Sequence, residues 1–183
     1  MLKTIPKSIT KWGIIPVVSM LSASCSFEEV TAQGGWQRLN INPTPQQKIV
    51  QLSPDPEMLE QQVHQLVNQY RVSRNLSPLK LDARISQVAR SHSQVMSRQD
   101  SLSHDGFEER VQVVAKTIPY RGVAENVAFN SGYSDPANQA VQGWRGSTGH
   151  RRNMEGDFDL TGIGIVKNTE GKYFFTQIFW KSP

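Results

Sequence analysis

A chain of 183 residues, 37% hydrophobic and 20% charged, is long enough for one domain with its own apolar core. Three of the 20 Lys+Arg are Lys3, Lys7 and Lys11; without them 17 basic residues face 16 acidic ones, so the formal +4 falls to +1. That balance, with no basic stripe interleaved with aromatics, excludes a nucleic-acid surface, and a lone Cys25 excludes any intramolecular disulfide.

The three lysines precede an apolar run from Trp12 to Leu21, and Ser22-Ala23-Ser24-Cys25 follows. A charged start, an apolar stretch and small residues form the layout of an export signal, too short for a bilayer span of roughly 20 residues. Because Cys25 falls where cleavage would expose it, residues 1–25 read as a lipoprotein-type signal. Acylation of Cys25 would anchor the protein to a membrane, with several chains needed for a stable hold. Ser22 stands where that signal usually has an aliphatic residue, and ordinary cleavage after Ser24 or Ala32 would give a secreted protein. Residues 26–54 carry Gly34-Gly35, Pro43 and Pro45 and no sustained period, which reads as a flexible tether to a domain at 55–183.

Asp55-Pro56-Glu57 starts a helix whose Leu59, Val63, Leu66, Val67 and Tyr70 form one stripe; His64, about 100° away, reads as solvated. Asn75 ends it in a left-handed conformation and Ser77-Pro78 forces an extended turn. Asp82 caps a second helix with Ile85, Val88, Ala89, Val95 and Met96 on one face; His92 shares that face and reads as a core histidine with a hydrogen-bond partner. His104 directly precedes a third amphipathic segment with Phe107, Val111 and Val114 inward. Ser134-Asp135-Pro136 opens a fourth helix ending at Trp144, and a loop holds Gly149-His150. Residues 161–166 and 173–180 read as two strands around an Asn168-Thr169-Glu170-Gly171 turn, apolar on both faces. A hairpin buried on two sides with helices before it implies a three-layer α-β-α sandwich, an α+β class with a central antiparallel sheet. Gly162-Ile163-Gly164 is followed by strand and turn, so it is no nucleotide fingerprint.

Leu66-Val67-Asn68-Gln69-Tyr70-Arg71, Leu76-Ser77-Pro78-Leu79, Asp82, Ala89 with His92 and Met96, Ser103-His104, Ala124-Glu125-Asn126, Pro136, Gly143-Trp144, Ser147-Thr148-Gly149-His150-Arg151-Arg152-Asn153, Gly162-Ile163-Gly164 and Thr176-Gln177 occur in the order of a known pattern. Over residues 58–180 the chain resembles the bacterial branch of the CAP (SCP-like) superfamily, which joins cysteine-rich secretory, antigen 5 and pathogenesis-related proteins. The resemblance implies an α-β-α sandwich with a central cleft. In the eukaryotic branch that cleft carries two histidines and two glutamates, and some members hold a divalent metal through the histidines. Carried over by motif, His104, Glu125 and His150 fill three of those places, while Ser147 stands where the second glutamate would be and Ala124 replaces the usual glycine.

Three readings of the cleft follow. In the first, His104, Glu125 and His150, with Asn126, Ser147 and Gln177 beside them, bind a small ligand, an envelope component or a divalent cation. Two imidazoles and a carboxylate would suit zinc, with His104 and His150 as the metal ligands. In the second the protein is an envelope hydrolase, either metal-assisted with Glu125 as base or with Ser147, His150 and Glu125 as nucleophile, base and orienter. In the third the same groups form a polar cluster that only fixes the loops. All three place the protein outside the cytoplasm, at the cell envelope.

Overall fold

The computed structural model describes residues 55–183; the export signal, Cys25 and the tether lie outside the described residues. In chain order the elements are α1 (Pro56–Ser73), β1 (Lys80–Leu81), α2 (Ala83–Gln99), α3 (Phe107–Ala115), β2 (Gly122–Asn130), α4 (Pro136–Gly146), α5 (Thr148–Glu155), β3 (Leu160–Lys167) and β4 (Tyr173–Lys181).

Helix α1 begins where Asp55 accepts a hydrogen bond from the Glu57 N–H (3.0 Å) and Pro56 takes a position that needs no donor. It ends on Asn75 at φ 58°, with Leu76 N–H donating to Arg71 O and Asn75 N–H to Val72 O, the paired closure of a left-handed cap. Asp82 caps α2 through the N–H groups of Arg84 and Ile85.

The sheet order is β1-β3-β4-β2. The β3–β4 and β4–β2 pairs are antiparallel, as expected; β1 adds a two-residue parallel edge on β3. Strand β4 is therefore internal, and its alternating side chains feed both layers. Phe175 and Phe179 join α1, α4 and α5 through Leu59, Val63, Trp144 and Met154. Ile178 and Trp180 join α2 and α3 through Ile85, Ala89, Val111 and Val114. Each large side chain so buried contributes about 1.5–3 kcal/mol, which explains why a hairpin apolar on both faces must sit between two helical layers.

Gly162 and Gly164 set the spacing of one layer. A Cβ at either position would overlap α2 backbone, at Ile85–Ser86 and at Ala89–Arg90 respectively, so the glycines let α2 lie directly on β3.

Three expectations need correction. His64 is half-buried and bonded rather than idle: its Nε2 lies 2.9 Å from Leu79 O, and Asn68 holds the same carbonyl, so the pair clamps the entry to β1. Val95 is exposed (44%), because the buried face of α2 is turned toward its serines: Ser86, Ser93 and Ser97 are buried beside Ile85, Ala89, His92 and Met96. Residues 149–150 are helical, within α5, whose only buried residue is Met154; with one inward position the segment carries no apolar period to read.

Candidate functional site

Alternation along β2 divides the motif residues between the two layers. Glu125 turns toward α2 and α3, and Asn126 toward α4 and α5. The Glu125 side chain is 1% exposed, and both oxygens are engaged. Arg110, from α3, donates from Nε to Oε2 (3.0 Å) and from a terminal nitrogen to Oε1 (2.8 Å). His104 Nδ1 donates to Oε1 (2.9 Å) from a ring that is 53% exposed. Arg110 also reaches the carbonyls of Asp105 (2.6 Å) and His104 (3.4 Å), so one guanidinium closes the loop onto the carboxylate.

His92 supports the same loop from below. As expected for a core histidine it has a partner: its Nε2 donates to Ser103 O (2.7 Å), one residue before His104. Burial pushes the His92 imidazole below its ordinary value, favouring the neutral ring.

On the other side of β2, Asn126 is fully buried and donates to the His150 carbonyl (3.1 Å) while accepting from Asn153 (2.9 Å). Asn153 also reaches Glu125 O (3.1 Å). Asn126 therefore locks α5 to β2 and is not among the residues that line the groove. Gln177 is equally buried, on β4, with its amide nitrogen on Thr161 Oγ1 (3.1 Å); it too lies away from the cleft.

The cleft itself is a groove of about 600 Å³ along the outer edge of β2. Residues 127–131 form one wall, Gly143, Trp144, Ser147 and His150 the other, and Leu102 and Tyr133 stand at its rim. Of the motif residues, His150 and Ser147 line this groove, whereas His104 and Glu125 form a separate cluster beside it. Burial, then repulsion from His104, holds the His150 imidazole below its ordinary value. No hydrogen bond joins Ser147, His150 and Glu125 among the described residues, so the nucleophile-base-orienter chain is not assembled.

The metal expectation meets a similar obstacle. The carboxylate that would complete two imidazoles is held by Arg110, and no group of three or more His, Cys, Asp or Glu able to hold a metal occurs among the described residues.

Arg110 was not singled out in the sequence, and Arg71, named there only within the family pattern, was given no role. Arg71 is buried and donates to the carbonyls of Ser77, Met154, Gly156 and Phe158, tying α1 to the end of α5. The signal was there: each occupies an inward stripe position, Arg110 between Phe107 and Val114, and Arg71 four after Val67. A charge on an apolar stripe demands a partner.

Fold and site together define an α-β-α sandwich with a His-Glu-Arg cluster beside an edge-strand groove. The model of the CAP, cysteine-rich secretory protein family matches residues 64–179, well over half of the chain, and the protein belongs to that family. The chain is 31% identical over 129 residues to the uncharacterized membrane protein YlbC of Bacillus subtilis, covering 67% of this chain and 34% of that relative, so it spans about a third of the longer protein. Among solved structures it resembles an extracellular SCP-domain protein of Bacillus anthracis at 29% identity and TM-score 0.60, covering 72% of this chain and 44% of that one. An outer surface protein of Borrelia burgdorferi shares the fold at 20% identity and TM-score 0.62, over 71% of this chain and 97% of that one. Proteins of this family are typically extracellular or associated with the cell envelope. No helix among the described residues is long and apolar enough to cross a membrane.

Proposed function

We propose that the protein is an envelope binding module, held to a membrane through lipidated Cys25, whose groove along β2 takes a largely apolar, uncharged organic ligand. The observation that carries this reading is Gly143. It lies inside α4, where glycine costs about 1 kcal/mol relative to alanine. Yet a Cβ there would meet nothing within 4 Å, so no internal contact calls for its absence. Gly143 lines the groove, and the open space above it suits a molecule that approaches the helix backbone closely.

The walls fit the same ligand chemistry. They are built from Val127, Ala128, Phe129, Ala140 and Trp144 with uncharged amides and hydroxyls, and His150 is the one titratable group among them besides the Tyr133 phenol. With Glu125 satisfied by Arg110 and His104, the cluster acts as the rigid side support of the groove rather than as a base or a metal ligand.

Amide-resolved NMR titration of the protein with a library of small apolar fragments tests the groove. Fragments should shift the amides of Phe129, Gly143 and Ser147, and Gly143→Leu, which places a side chain in the open space, should abolish those shifts. Shifts indifferent to Gly143→Leu, or none in these residues, would reject the groove as the site. The anchor has its own assay: Cys25→Ser should move the protein from the membrane fraction to the soluble one.

A further inference from the structure

The sheet has two outer edges, and the chain treats them differently. Beyond short β1, the edge of β3 is closed by helix side chains: Ser86 Oγ accepts from Ile163 N–H (3.1 Å) and Glu60 Oε1 from Ile165 N–H (3.0 Å). Such covering is the usual protection of an edge strand.

On β2 the outward backbone groups belong to alternate residues. Glu125 O accepts from Asn153 (3.1 Å) and Val127 O from Trp144 Nε1 (3.0 Å), which identifies the odd-numbered residues as those facing outward. By that alternation Phe129 also faces outward. By the same alternation the N–H of Val127 and the N–H and C=O of Phe129 point away from β4; no side chain bonds them among the described residues, and both residues line the groove. Protection thus stops midway along the strand, where the groove begins.

We infer that this groove takes an extended polypeptide segment, added to β2 as a new edge strand through the backbone of Val127 and Phe129. The inference rests on reading the groove as a ligand site and names the ligand class. Val127 and Phe129 are two residues apart, roughly 7 Å along a strand, the repeat at which an extended backbone presents its own N–H and C=O. A donor, a donor and an acceptor at that repeat complement a peptide backbone. Side chains of the added strand would alternate between the Gly143 and Trp144 wall and the side of Leu102, which is 40% exposed. With no carboxylate, lysine or arginine among its lining residues, and His150 its one basic group, the groove selects a segment uncharged at its centre.

The test compares Phe129→Pro with Phe129→Ala in the full chain. Both remove a ring that is 51% exposed; only proline removes the outward N–H, and an edge strand tolerates proline there. A phage-displayed library of random ten-residue peptides is selected on the protein, and the enriched peptide is also made with alternate backbone amides N-methylated. The expected result is about tenfold weaker binding to Phe129→Pro than to Phe129→Ala, and a loss of similar size on N-methylation, with melting temperatures confirming that both variants fold. Equal affinity for the two variants together with indifference to N-methylation overturns strand addition. If no peptide is enriched while fragments still shift the groove amides, strand addition fails and the groove reading stands; if fragments also fail, both fall.

Discussion

Removing Arg110 is the sharpest perturbation of the site. Arg110→Met keeps most of the apolar stem but deletes the fork that holds Glu125, whose side chain is 1% exposed while that of Arg110 is 13% exposed. Breaking a buried pair from one side costs about 3–5 kcal/mol, because the remaining charge stays desolvated. His104 lies half in solvent and offers one bond in place of the two that Arg110 supplies, so it offsets only part of that cost. A loss of this size should lower the melting temperature by on the order of 10 °C in a domain of this length. Urea unfolding of the wild type, Arg110→Met, Glu125→Gln and the double variant measures it. The double variant should be clearly more stable than Arg110→Met, since it no longer buries an unpaired carboxylate. If Arg110→Met loses less than about 1 kcal/mol, or if the losses of the two single variants simply add, the cluster is not the coupled unit described above.

The two kinds of glycine should respond in opposite ways. Gly164→Ala should destabilise severely, because its Cβ overlaps the α2 backbone, whereas Gly143→Ala should stabilise by about 1 kcal/mol; equal effects in thermal melts would contradict the packing. Arg71→Leu strands buried carbonyls at the end of α5 and should cost about 3 kcal/mol or more in urea, with Arg71→Lys failing to rescue it because one ammonium cannot span four carbonyls. Burial holds His92 and His150 below the ordinary imidazole value of about 6.5, so below that pH the unfolded chain binds more protons than the folded one. Stability should therefore fall as the pH drops from about 6.5 toward the lower folded values; His92→Gln should flatten the melting curve over that range, and an unchanged slope would exclude His92 as a contributor.

The layers were legible because the chain writes them in two periods. The α1 stripe and the double-faced β3 and β4 runs leave few arrangements other than a sheet between helices. The motif residues were legible individually, their arrangement only in part. His104 does meet Glu125 and repels His150, while strand alternation turns Glu125 and its neighbour Asn126 to different layers, and the groove forms on the strand edge between them. Helix α5 escaped notice because one buried residue, Met154, makes no stripe. Arg110 could be read as a charge on the α3 stripe, but its partner could not: Glu125 is 15 residues away on another element, and such a contact leaves no local pattern.

The place of β4 bears on how the chain matures. It follows every other element in sequence, yet it lies between β3 and β2, and both apolar layers close on its side chains. The early helices thus leave the ribosome with their inward stripes uncovered, and neither layer is complete until the last strand is inserted. Pairings such as Lys80 with Leu160 add long loops to be closed, the slow step for sheets of this kind. A chain that cannot finish its core early keeps apolar stripes uncovered for longer, the condition in which chains of this size are prone to aggregate.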